Sequence, residues 1–191
     1  MTKEIRILVV DDEDTVRSVL SQVLTEDGYS VAEAASGEQA LEVMYENTFE
    51  LVISDIKMPG MTGLELLAEI KKLYPTTQVI IITSFASLDT ALTALRNGAY
   101  DYLFKPFEDL DLISAAAKRA VEKVRLTKEN RRLMGTLRKQ NVQLEKANKV
   151  LKNMACRDGL TGLYNHRYFQ DILYHEIHRA NRNGDVFSLI F

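Results

Sequence analysis

The stretch that constrains this chain most is Leu51-Val52-Ile53-Ser54-Asp55-Ile56-Lys57-Met58-Pro59-Gly60. Residues 51–53 read as a strand buried on both faces, which a parallel sheet covered by helices requires. Asp55 then stands where the strand runs out, at the carboxyl edge of the sheet, and a Pro-Gly turn follows. In open α/β sheets that edge is where ligands bind. A carboxylate there is either a capping residue or a reactive group, and the rest of the chain has to decide between them.

The first 111 residues repeat this pattern. Apolar runs at residues 5–10, 29–34, 78–83 and 100–104 join the Asp55 run as strands. Between them lie amphipathic stretches: residues 14–26, with Val16, Val19, Leu20, Val23 and Leu24 at helical spacing, a helix capped by Ser36 and reaching about residue 47, residues 63–73, and residues 88–97 closed by Gly98. Five strands, each followed by a helix, predict an α/β fold with a doubly wound parallel sheet. Right-handed crossovers place helices on both faces.

This order brings four polar signals to one rim. The first strand ends at Asp11 and Asp12, the third at Asp55, the fourth at Thr83 and Ser84, and the fifth at Lys105 and Pro106. Taken singly, acidic pairs often cap helices and a Lys-Pro is often only a turn. Together they suggest chemistry. Carboxylates held close repel one another, and a hard divalent cation with oxygen ligands relieves that repulsion; Mg²⁺ commonly uses one or two carboxylates and phosphate oxygens. Asp55 is then a nucleophile able to accept a phosphoryl group. Metal and the Lys105 ammonium would neutralise the charge on the transferring group. The Thr83 hydroxyl can donate to a phosphoryl oxygen. Pro106 is a candidate for a cis peptide that aims the lysine inward.

Residues 1–120 resemble the receiver domain of two-component response regulators, a five-stranded flavodoxin-like fold. The resemblance rests on Asp11, Asp12, Asp55, Thr83, Tyr102 and the Lys105-Pro106 pair, all in family order and spacing. It implies that Asp12, Asp55 and the backbone carbonyl of Lys57 bind Mg²⁺, with Asp11 assisting directly or through water. It also implies a sensor histidine kinase as phosphoryl donor. Thr83 and Tyr102 would be the switch pair, Thr83 moving toward the phosphate and Tyr102 turning inward to fill the space.

Charge divides the chain. Residues 1–111 carry 8 Lys/Arg against 20 Asp/Glu, residues 112–154 carry 12 against 3, and residues 155–191 carry 4 of each. Such a split marks separate units. Between residues 108 and 156 there is no proline and one glycine, Gly135, so a helix of roughly 70 Å is expected at about 1.5 Å per residue. Asn130, Leu137, Leu144 and Leu151 repeat at one heptad position; Leu126, Leu133, Gln140, Ala147 and Met154 occupy the complementary one. That predicts a coiled-coil signalling helix over residues 121–156, and Asn130 at a core position favours a parallel homodimer in fixed register. Upstream, Ile113, Ala117, Ala120 and Val124 form a different stripe, read as packing on the receiver. The competing reading is one long helix lying on a neighbouring domain. Nucleic-acid binding is disfavoured, because a basic zipper places its cations before the heptads, whereas Arg131, Arg132, Arg138 and Lys139 overlap them.

Residues 157–191 resemble the opening of GGDEF domains, the diguanylate cyclases that make cyclic di-GMP from two GTP. The match is an Asp-x-Leu-Thr-Gly-Leu-x-Asn turn over residues 158–165, with His166 where the family usually has Arg. A helix capped by Asn165 and a strand from residue 186 should follow. The family's catalytic and guanine-binding residues are not among these, so the expectation is a partial second domain, with GTP a partner only of a complete output domain. Whether the chain is part of an enzyme stays open. His175 and His178, one turn apart, read as solvated helix face. A lone cysteine, Cys156, fits a reducing compartment, and no apolar run reaches membrane-span length, which together point to the cytoplasm. The expected function is a response regulator phosphorylated on Asp55 that signals through its dimeric helix to a cyclase. The alternatives are a non-enzymatic phosphorelay or scaffolding regulator and, third, a DNA-binding regulator.

Overall fold

The computed structural model describes residues 5–84, 87–107, 110–184, 186 and 188. Contacts divide the chain into two units, Met1–Asn130 and Arg131–Phe191.

In the first unit the apolar runs become β1 (Arg6–Val10), β2 (Ser30–Ala34), β3 (Leu51–Asp55), β4 (Gln78–Thr83) and β5 (Asp101–Phe104). All pairings are parallel and the order is β2-β1-β3-β4-β5. The helices between them are α1 (Asp14–Glu26), α2 (Gly37–Glu46), α3 (Gly63–Leu73) and α4 (Leu88–Arg96). Every residue of β3 is buried, as a central strand covered on both sides must be.

Alternation along the strands builds two cores. Leu8, Val10, Val52, Val79 and Ile81 face α2, α3 and α4 through Ala40, Met44, Leu66, Leu67, Ile70 and Ala94. Ile7, Val9, Leu51, Ile53, Ile80 and Ile82 face the other way, onto Leu20 and Leu24 of α1 and onto the long helix α5 (Asp111–Cys156). Each such aliphatic side chain contributes about 1.5–3 kcal/mol of burial. The α5 stripe expected to pack here does so: Ile113, Ala117, Ala120 and Val124 are buried, with Ala116 and Val121 beside them. The long helix expected from residue 108 begins at Asp111; residues 108 and 109 lie outside the described ones.

Caps written into the sequence set several boundaries. The Ser36 side chain accepts from the Gln39 N–H at the start of α2. Thr62 and Glu65 form a capping box on α3.

In the second unit, α5 continues to Cys156 and α6 spans His166–Asn183. The turn between them is ordered by its own side chains. Asp158 Oδ1 accepts from the Leu160 N–H, the Thr161 N–H and the Thr161 hydroxyl. Asn165 caps α6 by accepting from Tyr168 N–H and donates to the Ala155 carbonyl. The strand expected from residue 186 falls largely outside the described residues.

Candidate functional site

The sheet order places β1 and β3 side by side, with β4 and β5 following, so the carboxyl ends of β1, β3 and β5 converge on one rim. Asp11 follows β1 and is fully buried; Asp55 ends β3 and is 6% exposed; Asp12 is exposed. A carboxylate oxygen from each of the three lies within 4.8 Å of the others. Lys105, just past β5, sends its ammonium between the two buried acids. Nζ is 2.5 Å from Asp11 Oδ2, 3.4 Å from Asp55 Oδ1 and 4.0 Å from Glu13 Oε1. The Lys105–Pro106 peptide is cis.

The backbone fixes these groups. Asp55 Oδ2 accepts from the Lys57 N–H at 3.1 Å, and Asp11 Oδ1 accepts from the Glu13 N–H at 3.0 Å. The Lys105 N–H donates to the Thr83 carbonyl at 2.8 Å, tying the ends of β4 and β5 together. Gly63 backs against Asp55 so closely that a Cβ there would lie 1.9 Å from the Asp55 carbonyl oxygen.

Burial pushes the Asp55 carboxyl above the usual aspartate range; Lys105 opposes that shift and Asp11 adds to it. Its Oδ1 is buried and, among the described residues, pairs with the Lys105 ammonium at 3.4 Å without a well-formed hydrogen bond. A cluster of hard oxygen donors, one of them a buried carboxylate oxygen held by no well-formed hydrogen bond among the described residues, suits a hard dication such as Mg²⁺. Among the described residues this is the one group of three or more His, Cys, Asp or Glu side chains placed to hold a metal ion.

Thr83 is buried at the end of β4, and Tyr102 is half-buried on β5. Tyr102 pairs in register with Ile81 and packs against the α2–α3–α4 core. Its hydroxyl lies 2.9 Å from Thr90 Oγ1 on α4, and its ring meets Phe104 edge-on. Asn130, Leu137, Leu144 and Leu151 all fall on α5 and are exposed, as is Leu126.

Sequence reasoning missed three participants. Arg17, nearly buried on the first turns of α1, donates to the Asp11 carbonyl at 2.6 Å and pairs with Asp14 and Glu33. Glu13 reaches toward Lys105. Thr90 holds Tyr102. The Asp14–Arg17 spacing of three was a visible cue for the first; the other two contacts are purely tertiary.

A family model described as the response regulator receiver domain matches residues 7–117. The transcriptional regulatory protein ZraR of Klebsiella oxytoca is 43% identical over 125 residues, 65% of this chain and 28% of that protein. The chain thus spans less than a third of this relative's length. Among solved structures, a response regulator receiver domain protein from Clostridium thermocellum is similar with a TM-score of 0.61 and 38% identity, over 64% of this chain and 98% of that one. The beryllofluoride-activated NtrC4 receiver domain dimer gives a TM-score of 0.60 and 37% identity, over 62% of this chain and 98% of that one.

Proposed function

The chain belongs to the response regulator receiver family, and from that membership we propose that it takes a phosphoryl group onto Asp55 from a histidine kinase. One observation carries this reading: a buried Asp55 carboxylate oxygen that, among the described residues, is met by a nearly buried lysine at 3.4 Å without a well-formed hydrogen bond, beside a second buried acid. Asp55 Oδ1 attacks the phosphorus of a phosphohistidine. The O–P bond forms as the donor's N–P bond breaks, and the imidazole nitrogen keeps the electron pair. Lys105 stays beside the new acyl phosphate and balances its charge. Thr83 donates its hydroxyl to a phosphoryl oxygen, and Tyr102 leaves Thr90 to follow it inward.

Asp12, Asp55 and the Lys57 carbonyl would hold Mg²⁺, with Asp11 assisting; the ion supplies positive charge to the phosphoryl oxygens during transfer. Phosphate at this rim biases a two-state surface beside β4 and β5.

Residues 1–120 serve as the receiver, residues 121–156 as a signalling helix, and residues 157–191 as the start of an output domain. Leu126, Leu133, Leu137, Leu144, Leu151 and Met154 are each at least half exposed in the single chain. Their heptad spacing supports a parallel coiled-coil homodimer. The ordered turn at residues 158–165 supports a GGDEF-like output, which would make the whole protein a diguanylate cyclase. A second reading is transcriptional control, favoured by the likeness to ZraR; a scaffold acting through α5 alone is a third. No helix among the described residues is long and apolar enough to cross a membrane. With the lone Cys156, that accords with work in the cytoplasm.

Oligomeric state, measured with and without beryllofluoride in wild type and Asp55→Asn, tests the reading. Wild type should change its self-association and the variant should not. An equal response from both rules the reading out.

A further inference from the structure

The loop from β3 to α3 carries Lys57, whose carbonyl belongs to the proposed metal set. It is fastened at both ends: the Lys57 N–H donates to Asp55 Oδ2, and Thr62 and Glu65 close a capping box where α3 begins. Just before the α3 cap it is also fastened by a different element. Glu38, in the first turn of α2, accepts the Met61 N–H through Oε1 at 2.8 Å, across 23 positions of sequence.

Both partners are shaped for this contact. Gly60 has a φ of +76°, and a Cβ there would lie 2.5 Å from Glu38 Oε1. Gly37, at the head of α2, would place a Cβ 2.9 Å from the Met61 Cβ. Each segment thus leaves out a side chain where the other approaches. The Glu38 backbone N–H, the Met61 N–H and the Ser36 side chain hold the Glu38 carboxyl below the usual range, so it accepts as an anion at neutral pH.

We infer that Glu38 is a positioning residue for the phosphoryl site: by clamping Met61 to α2 it preorganises the loop that presents the Lys57 carbonyl. The inference rests on the metal reading above. A loop freed of this clamp spreads over more conformations, and that freedom must be surrendered each time the metal binds. Groups that orient ligands without touching the metal typically change affinity by about 10–100-fold. Glu38 acts from further away, so the lower end applies.

Mg²⁺ titration by calorimetry and amide exchange of the whole chain test this, using wild type, Glu38→Ala, Glu38→Gln and Asp55→Asn. Glu38→Ala should weaken Mg²⁺ binding by up to about tenfold and speed exchange at Met61 with or without the ion. Glu38→Gln keeps the acceptor oxygen and should restore most of both. Asp55-dependent binding that Glu38→Ala leaves unchanged overturns the inference alone, as does a Met61 amide that stays protected. Wild type that binds Mg²⁺ no better than Asp55→Asn sinks the metal reading and this inference with it.

Discussion

The Lys105 ammonium lies 2.5 Å from Asp11 Oδ2, and that contact joins two residues 94 positions apart at the heart of the site. Asp11 is fully buried and Lys105 nearly so. Removing one partner of a buried ion pair strands the other charge, which costs more than the pair itself contributes. Lys105→Met should therefore lower the stability of the metal-free protein by about 3 kcal/mol. Urea unfolding with and without Mg²⁺ checks it, and the ion should return part of the loss.

Asp55 leads to a pH prediction. Its folded-state pKa is raised, chiefly by burial. A raised carboxyl is stabilising while protonated, so that contribution is present at low pH and is lost as pH climbs through the folded value. Metal-free wild type should thus lose ground to Asp55→Asn as pH rises above 3.8, the ordinary aspartate value. Melting temperatures across the pH range, without metal, would read the crossover. Parallel curves would remove the argument that this carboxylate is held at a cost.

Gly63 has no room for a methyl group against the Asp55 carbonyl. Gly63→Ala should destabilise the protein by about 3 kcal/mol, the upper end for overpacking. A variant as stable as wild type in chemical denaturation would mean the β3–α3 junction yields easily.

Thr90 joins two roles in one hydroxyl. It completes the α4 capping box with Ser87 and pairs with the Tyr102 hydroxyl. Thr90→Val should cost about 1 kcal/mol and release the Tyr102 ring before any phosphorylation. Ring resonances of Tyr102 by NMR report it: the variant should resemble beryllofluoride-treated wild type more than untreated.

At the opposite edge of the sheet, Lys128 of α5 reaches Glu50 at 2.7 Å, next to the start of β3. The Glu50 side chain is 10% exposed and also accepts the Arg6 N–H. Val124 is the last buried residue of α5, so this pair is a tether beyond the apolar contact. Lys128→Ala should speed amide exchange over residues 125–130 while leaving β1 and β3 protected. Unchanged exchange there would show that Val124 already holds the helix.

Much of this architecture could be read from the chain before any coordinates. The unbroken apolar runs of β1 and β4, buried on both faces, caps such as Ser36 and Asn165, and the closing Gly98 are local signals, and they placed the elements within a few residues. Asp11, Asp12, Asp55 and Lys105 were legible because each stands at or just past the end of an apolar strand, and topology alone brings those ends together. Thr90–Tyr102, Glu38–Met61 and Glu50–Lys128 were not. They join side-chain and backbone polar groups across 12, 23 and 78 positions, where no periodicity marks a partner. The heptads of α5 were equally visible, but a seam needs a second helix to be a seam.

Intact-mass measurement after incubation with a small phosphodonor such as acetyl phosphate tests the central claim most directly. With Mg²⁺ the wild-type chain should gain one phosphoryl group that Asp55→Asn does not gain and that chelation of the metal prevents. A phosphoryl group acquired equally by the variant, or none acquired by wild type, would contradict the account.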